Sequence, residues 1–414
     1  MIKNIKVQNF KTFDCLDLNL DNFNVLIGAN ASGKSSFIQI IKFYKDICTQ
    51  GLDNAIALQG GVEYLRNINL GSVTPFSFEI TFENLPSLIS TYQSDVVDAR
   101  VSKFTYKFEL QFLKGRAYKI INDSADFHLS VTRSSNAKKE VSEHKTQDYH
   151  VEIKRKNQKL FFTDDIPDDD SIKEFVRDTP AYFLYKDKRL DHLLIEIPYF
   201  GFPMIQPNYL SRIGIYDFDS KLPKKAVPLS AKAELEYDGS NLAIVLKSLL
   251  NDAKKKKKFA LLMNDVLPFV QSIKVDGLAD KSFLFTIKEQ YGSNTYLPAS
   301  LISDGTIGII SLIIALYFNE KSKFVIIEEP ERNIHPSLIS KIITMMKDVS
   351  NNKQILITTH NVEVIKNVNT TDILLISRSQ KGFSEVSKPQ DKDHVKLFLQ
   401  NELGIEDLFL QNLL

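Results

Sequence analysis

Three stretches of sequence predict an α/β fold. The apolar run Asn24-Val25-Leu26-Ile27 leads into Gly28-Ala29-Asn30-Ala31-Ser32-Gly33-Lys34-Ser35, and Ser36 to Lys42 then opens a helix. Phe324-Val325-Ile326-Ile327 is a second buried-type strand, closed by Glu328 and Glu329. Gln354-Ile355-Leu356-Ile357-Thr358 is a third, with His360 at its mouth. Short, uninterrupted apolar runs that lead into polar turns are the pattern of strands covered on both faces of a parallel sheet.

The remaining elements follow along the chain. Ile2 to Phe10, Cys15 to Leu20 and Val25 to Ile27 read as three strands feeding the glycine-rich loop, and a helix follows from about Ser35 to Cys48. Phe76 to Phe82 and Lys103 to Phe112 alternate with period two, as half-buried strands do. Ser130 to Lys159 is polar and reads as a mobile hairpin or an ordered surface loop. Asp164-Asp165-Ile166-Pro167-Asp168-Asp169-Asp170 is an acidic turn, for which a solvated loop outweighs a metal site. Asn241 to Val270 is helical in pattern and carries five cations, Lys254 to Lys258. These spread around a helix as a collar, which reads as a solvated face or a contact for DNA phosphates. Ile307 to Phe318 is a strongly apolar helix. Ile373 to Ser377 and Phe383 to Val386 are closing strands, and Asp391 to Leu414 is an amphipathic helix interrupted near Gly404. No long heptad array is present, so no long coiled coil is expected.

Bulk composition narrows the class. A chain of 414 residues exceeds the size of one hydrophobic core, so two lobes are expected. Its 43% hydrophobic and 25% charged residues are ordinary for a globular protein. A net charge of +1 gives no global attraction to nucleic acid or membrane. Cys15 and Cys48 have no metal-type spacing and imply a reducing compartment. Neither a signal peptide nor a membrane-length apolar run is present, so a cytoplasmic protein is expected.

The chemistry concentrates in four places. Gly28 to Ser35 satisfies the G-x-x-x-x-G-K-[ST] pattern of a phosphate-binding loop, in which backbone amides cradle phosphate oxygens at the positive end of a helix. Asn30, Ala31, Ser32, Gly33, Lys34, Ser35 and Ser36 would surround the phosphates of a nucleoside triphosphate, with Lys34 on the β and γ groups and Ser35 on Mg²⁺. Glu328 and Glu329 would divide two tasks, Glu328 in the Mg²⁺ shell and Glu329 polarising the attacking water. His360 can hold that water or donate to the γ phosphate, or merely cap a strand. Ser303-Asp304-Gly305-Thr306 opens the apolar helix, as an anion-binding terminus or as an ordinary cap.

Phosphate loop, long insert, Ser-Asp-Gly-Thr helix, Glu-Glu strand and strand-end histidine, in that order, resemble the ABC-type ATPases. The likeness is strongest to the RecF/SMC-like branch, including OLD-type ATPases and ATPase subunits of anti-phage systems such as Septu and PARIS. Ile5 to Lys11 and Asp238-Gly239-Ser240-Asn241-Leu242 share in it. The resemblance implies an ABC-type P-loop ATPase head with a mixed sheet. Its lobe would be formed by residues 1–84 and 296–414, around an inserted α+β region, 85–295. It also implies a homodimer closed around ATP, or a larger oligomer built on that dimer. Ser303, Asp304, Gly305 and Thr306 would then act in trans on the partner's phosphates, with Asn333 to His335 on the same interface. Asp304 and Thr306 stand where the family more commonly has Gly and Gln, and Gln59 is the one candidate for a Mg²⁺-sensing glutamine. The function expected is an ATP-hydrolysing switch controlling a separate effector, a nuclease or toxin, in anti-phage defence. A RecF-type DNA-repair ATPase and a nuclease with its active site in the insertion are the alternatives. Neither a transmembrane domain nor a Toprim-like acidic cluster accompanies the module.

Overall fold

The computed structural model describes residues 1–86, 88–92, 95–113, 117–135, 145–156, 158–167, 191–198, 200, 205, 208–291 and 295–389. The chain forms two units. The first gathers Met1–Leu20, Ser35–Arg212 and Ser377–Val386, and the second gathers Asp21–Lys34, Ile213–Ile376 and the residues from Ser387 onward.

The chain opens with strands β1 (Ile2–Phe10) and β2 (Phe13–Asn19), then β3 (Phe23–Ile27) and helix α1 (Lys34–Gln50). In the first unit, β1 and β2 belong to an antiparallel sheet. The sheet goes on through β4 (Phe76–Glu83), β5 (Leu88–Tyr92), β6 (Asp95–Phe112), β7 (Tyr118–Ser135), β8 (Lys145–Lys156) and β9 (Lys159–Asp164). The order is β2-β1-β4-β6-β7-β8-β9, with β5 on β6. One ladder therefore runs unbroken across residue 84. Alternation decides its faces: Phe104, Tyr106 and Phe108 of β6 and Ala125 and Phe127 of β7 are buried, while their neighbours are not. Aromatic rings fill the buried side, with Phe104 and Phe127 centroids 4.7 Å apart and Tyr44 of α1 stacked on Phe78. The polar stretch from Ser130 is, in its described parts, the end of β7 and all of β8. Threonines and carboxylates on the open face hid a strand whose other face carries Tyr149, Val151 and Ile153.

The second unit is built on parallel strands. β10 (Ile213–Tyr216) leads to the two-residue β11 (Val227–Pro228) and helices α2 (Leu242–Asn251) and α3 (Ala253–Val266). Next come β12 (Val270–Gly277), β13 (Ser282–Glu289) and β14 (Leu297–Pro298), which with β11 make a small antiparallel sheet. Helix α4 (Asp304–Ile313) continues as five π-wound residues to Phe318. Then follow β15 (Phe324–Glu328), α5 (Pro336–Ser350), β16 (Gln354–Thr359), α6 (Val362–Lys366) and β17 (Ile373–Arg378). The main sheet runs β10-β15-β16-β3-β17 and ends in a sixth strand, β18 (Ser384–Ser387), beside β17. Apart from β18, its strands are buried along their length except at the carboxyl ends of β15 and β17, where Glu328 and Ser377 are half-buried and Arg378 is exposed. Helices α2, α4 and α5 supply much of the same core through Leu246, Ile310 and Ile342.

Two sequence expectations change here. The helical pattern of 241–270 is two helices broken at Asp252, whose carboxylate caps the second by accepting from the amides of Lys254 and Lys255; Val270 already starts a strand. The lysine collar is partly engaged, with Lys255 3.1 Å from Glu320 and Lys258 over the Tyr317 and Phe318 rings. The helix expected over 391–414 lies outside the described residues. No helix among the described residues is long and apolar enough to cross a membrane.

Candidate functional site

Parallel register brings the chemistry to one edge of the second unit's sheet. Glu328 at the end of β15 pairs with Thr358 of β16, and Thr359 pairs with Ile27 at the end of β3. The turns after Ile27, Glu328 and Thr359 therefore leave side by side at the carboxyl ends of adjacent strands, where parallel sheets place ligand sites.

The loop after β3 is tightly wound. The Ser32 amide donates to the Ala29 carbonyl at 3.2 Å, and Ala31 and Gly33 take φ of 62° and 118°. Gly28 has no room for a side chain, since a Cβ there would stand 2.2 Å from the Ile376 carbonyl oxygen. The Lys34 ammonium donates to the carbonyls of Gly28 and Ala29 at 2.7 and 3.0 Å, so it folds back over its own loop. Burial lowers its pKa, against the opposing pull of the Glu329 charge. Ser35 and Ser36 follow in the first turn of α1, while Asn30 and Ala31 are exposed.

After Glu328 the backbone turns sharply. Glu329 has φ of 43°, the left-handed region that a residue with a long side chain rarely enters, and its amide still closes the ladder on the Thr358 carbonyl at 3.0 Å. That turn gives the two carboxylates separate partners. Glu328 Oε1 accepts from the Tyr237 hydroxyl at 3.2 Å, and burial together with the Asp217 charge raises its pKa. Glu329 Oε1 accepts from His360 Nδ1 at 2.7 Å, and its Oε2 accepts from Arg332 at 3.2 Å. Lys34, Glu329 and His360, expected on sequence grounds to act together, thus form one electrostatic group.

Four further residues complete this edge and escaped the sequence reading. Arg332 also donates to Asp217 at 2.9 Å, tying the turn after β10 to the turn after β15. Tyr237 faces both Asp217 and Glu328, and its pKa is raised by burial first and then by those two carboxylates. Glu331 is buried and accepts from the Thr359 hydroxyl, and its Oε2 has no hydrogen-bond partner among the described residues. Burial raises its pKa as well. A carboxylate two residues after Glu329 was the available signal for Glu331. Asp217 and Tyr237 lie in turns about a hundred residues upstream, with no motif of their own.

Ser303 is the N-cap of α4: its Oγ accepts from the Thr306 amide at 3.2 Å and lies 2.8 Å from the Thr306 hydroxyl. Asp304 pairs with Lys224 at 2.6 Å, and the hydrogen bond from Lys224 lowers its pKa. Gly305 is required by a close approach, because a Cβ would meet the Asn333 carbonyl oxygen at 2.5 Å. The helix start and the 331–335 turn are therefore packed together. Gln59 belongs to the first unit, where its amide donates to Gln39 of α1 at 3.1 Å.

A strand, phosphate-type loop and helix, with a carboxylate pair and a histidine at neighbouring strand ends, describe a P-loop ATPase fold. Residues 23–366 match the family described as "AAA domain, putative AbiEii toxin, Type IV TA system". The chain belongs to this family. Similar solved structures include the Smc head bound to the C-terminal winged-helix domain of ScpA, at 14% identity and TM-score 0.49, covering 93% of this chain and 97% of that one. The SMC head domain from Thermotoga maritima is similar at 13% identity and TM-score 0.40, covering 94% and 98%. An Smc head with an extended coiled coil, bound to the C-terminal domain of ScpA derived from Pyrococcus furiosus, aligns at 12% identity and TM-score 0.46, covering 97% and 99%. No curated protein matches the chain.

Within this AAA-family chain, the residues present fit ATP and Mg²⁺. The Gly28 position admits no side chain, and the loop turns on two positive-φ residues. A lysine ammonium lies over the loop, and a half-buried carboxylate with a raised pKa stands at the neighbouring strand end. A divalent cation would compensate the carboxylate and the phosphates together.

Proposed function

We propose that this protein binds and hydrolyses ATP and works as a switch, closing into a homodimer around the nucleotide to control a separate effector. The observation that carries the reading is the Glu329–His360 pair, 2.7 Å apart, with Lys34 of the phosphate loop close enough to feel the Glu329 charge. Asn30 to Ser36 would hold the phosphates. Lys34 would release its loop carbonyls to meet the β and γ oxygens with charge-assisted hydrogen bonds. Glu329, positioned by His360 and Arg332, would orient the attacking water and draw on its proton. Mg²⁺, held by Ser35 and Glu328, would supply charge neutralisation on the phosphate oxygens.

Ser303, Asp304, Gly305 and Thr306 would complete the partner subunit's site, their helix terminus facing the γ phosphate. The name carried by the family points to toxin–antitoxin systems, which supports a defence role with a nuclease or toxin as effector and DNA as a further possible ligand. Cytoplasmic location follows from that role.

Complementation between two inactive variants tests this reading. Ser303→Arg should leave ATP binding intact and block turnover. Mixed with Lys34→Ala protein, it should regain part of the activity, because one composite site in each mixed dimer is then whole. Full turnover by Ser303→Arg alone would show that the site is complete within one subunit.

A further inference from the structure

The open face of the first unit's sheet carries a cluster that the nucleotide chemistry does not use. His128 of β7 and His150 of β8 are direct register partners, with ring centroids 5.0 Å apart. Asp126, two residues before His128, lies on the same face by strand alternation. Its Oδ1 is 3.1 Å from His128 Nε2 and its Oδ2 is 2.5 Å from His150 Nε2. One ligand atom from each of the three residues lies within 4.8 Å of the others.

We propose that Asp126, His128 and His150 form a binding site for a divalent transition-metal ion of the zinc class, with a fourth position open to water. Two imidazole nitrogens and one carboxylate are the donor set that zinc favours, whereas Mg²⁺ and Ca²⁺ take oxygen ligands. Bonds of about 2.0–2.1 Å in a tetrahedron place donors about 3.3 Å apart. The Asp126–His128 separation of 3.1 Å is close to that value, and the shorter approach of His150 to the other carboxylate oxygen would open as the rings turn toward an ion.

The backbone beneath the site is held from both sides. His150 lies in the β7 ladder on one flank. On the other, its amide donates to Asp165 Oδ1 at 2.6 Å, and the Asp165 amide donates back to the His150 carbonyl at 3.2 Å. Asp165, in the acidic turn read from sequence as a solvated loop rather than a metal site, thus supports a ligand strand. With side chains between 31 and 49% exposed, the cluster is open to an ion from solution. A lone His–Asp ion pair needs one histidine; here a second is set opposite the first, with its Nε2 turned to the same carboxylate.

Calorimetric titration of metal-stripped full-length protein with zinc chloride tests the site. One zinc per chain is expected. Asp126→Asn and His150→Ala should each weaken binding roughly tenfold or more. His128→Gln, which keeps strand geometry, guards against simple unfolding, and circular dichroism of each variant checks the fold. Cobalt in place of zinc should give the intense visible bands of a low-coordinate nitrogen–oxygen site in wild type, and lose them in the variants. Wild-type protein that takes up no zinc, or folded variants that bind it as tightly as wild type, would overturn the assignment and leave the cluster as a hydrogen-bonded surface bridge.

Discussion

Each unit pairs a carboxylate with a histidine, and they arrive at that pairing by opposite routes. In the parallel unit, Glu329 and His360 lie just beyond the ends of neighbouring strands, in turns that the register delivers to one edge. In the antiparallel unit, Asp126, His128 and His150 sit mid-strand on a face left open by alternation. A sheet buried on both sides has no lateral surface for polar groups, so its chemistry collects at the carboxyl ends. A sheet with one open face can carry polar groups anywhere along that face, and pays for none of them with core volume. Function at the first kind of site depends on turns; stability at the second kind of sheet depends on the side away from solvent.

Removing the phosphate-loop cation is the sharpest way to break that contrast. Lys34→Ala should abolish productive ATP binding, because a charge-assisted contact to the phosphates is lost, while the melting temperature stays close to wild type. Among the described residues its ammonium donates to carbonyls of its own loop, so little of the fold rests on it. Wild-type ATP affinity in this variant, measured by titration, would remove the loop from the mechanism.

The converse change belongs to the antiparallel unit. Phe104 is fully buried and packs on Phe127 and Phe82. Phe104→Ala should cost about 3–5 kcal/mol in a denaturant titration, the usual range for emptying an aromatic core position. A loss below about 1 kcal/mol would mean that the aromatic layer collapses around the gap, and that this sheet is less tightly specified than its rings suggest.

At the strand ends, the two adjacent carboxylates should separate. Glu329→Gln is expected to keep ATP binding and reduce hydrolysis on the order of 10²-fold, while trapping an ATP-bound dimer in size-exclusion chromatography. Glu328→Gln should weaken the Mg²⁺ dependence of binding instead, since Glu328 faces Tyr237 and not His360. If Glu328→Gln proves the variant with intact binding and lost turnover, the two roles are exchanged.

How much of this could be read in advance differs between the units for the same reason. Strands β1, β3, β15, β16 and β17 were legible because a buried strand writes its burial as a continuous or strictly alternating apolar run. Glu328, Glu329 and His360 were legible because each lies at or just beyond such a strand's end, and Lys34 because the phosphate-loop pattern that follows Ile27 fixes its place. Glu331, Arg332, Asp217 and Tyr237 were not singled out. Their meeting depends on the left-handed turn at Glu329 and on β10 lying beside β15, neither of which has a sequence signature. The metal-type cluster was invisible for a related cause. His128 and His150 stand 22 residues apart in sequence and meet only through antiparallel register, and the polar face of β8 masked the strand itself. The Ser303 tetrapeptide left two readings open, and the structure shows the cap without testing the other.

Ser303 therefore carries the smallest and most discriminating change. As N-cap of α4, its hydroxyl oxygen accepts the Thr306 amide and leans on the Thr306 hydroxyl. Replacing it with alanine removes that acceptor and should cost about 1 kcal/mol of stability, as losing a capping hydroxyl generally does. Asp304 adds a second tie through Lys224, which the change leaves alone. A local cap and a trans-acting phosphate contact then give different signatures for the same substitution. If the hydroxyl serves only the helix, Ser303→Ala lowers the melting temperature by a few degrees and turnover at low temperature is unchanged. If it also meets the partner's γ phosphate, turnover falls at a temperature where the variant is fully folded. Ser303→Gly separates the two further, because glycine is tolerated at an N-cap at a cost of only a few tenths of a kcal/mol. A Gly variant with near wild-type stability and impaired hydrolysis would assign the hydroxyl to the reaction. A Gly variant normal in both respects would return Ser303 to the parallel unit's scaffold, and leave the contact with the partner's nucleotide to the backbone amides of Gly305 and Thr306.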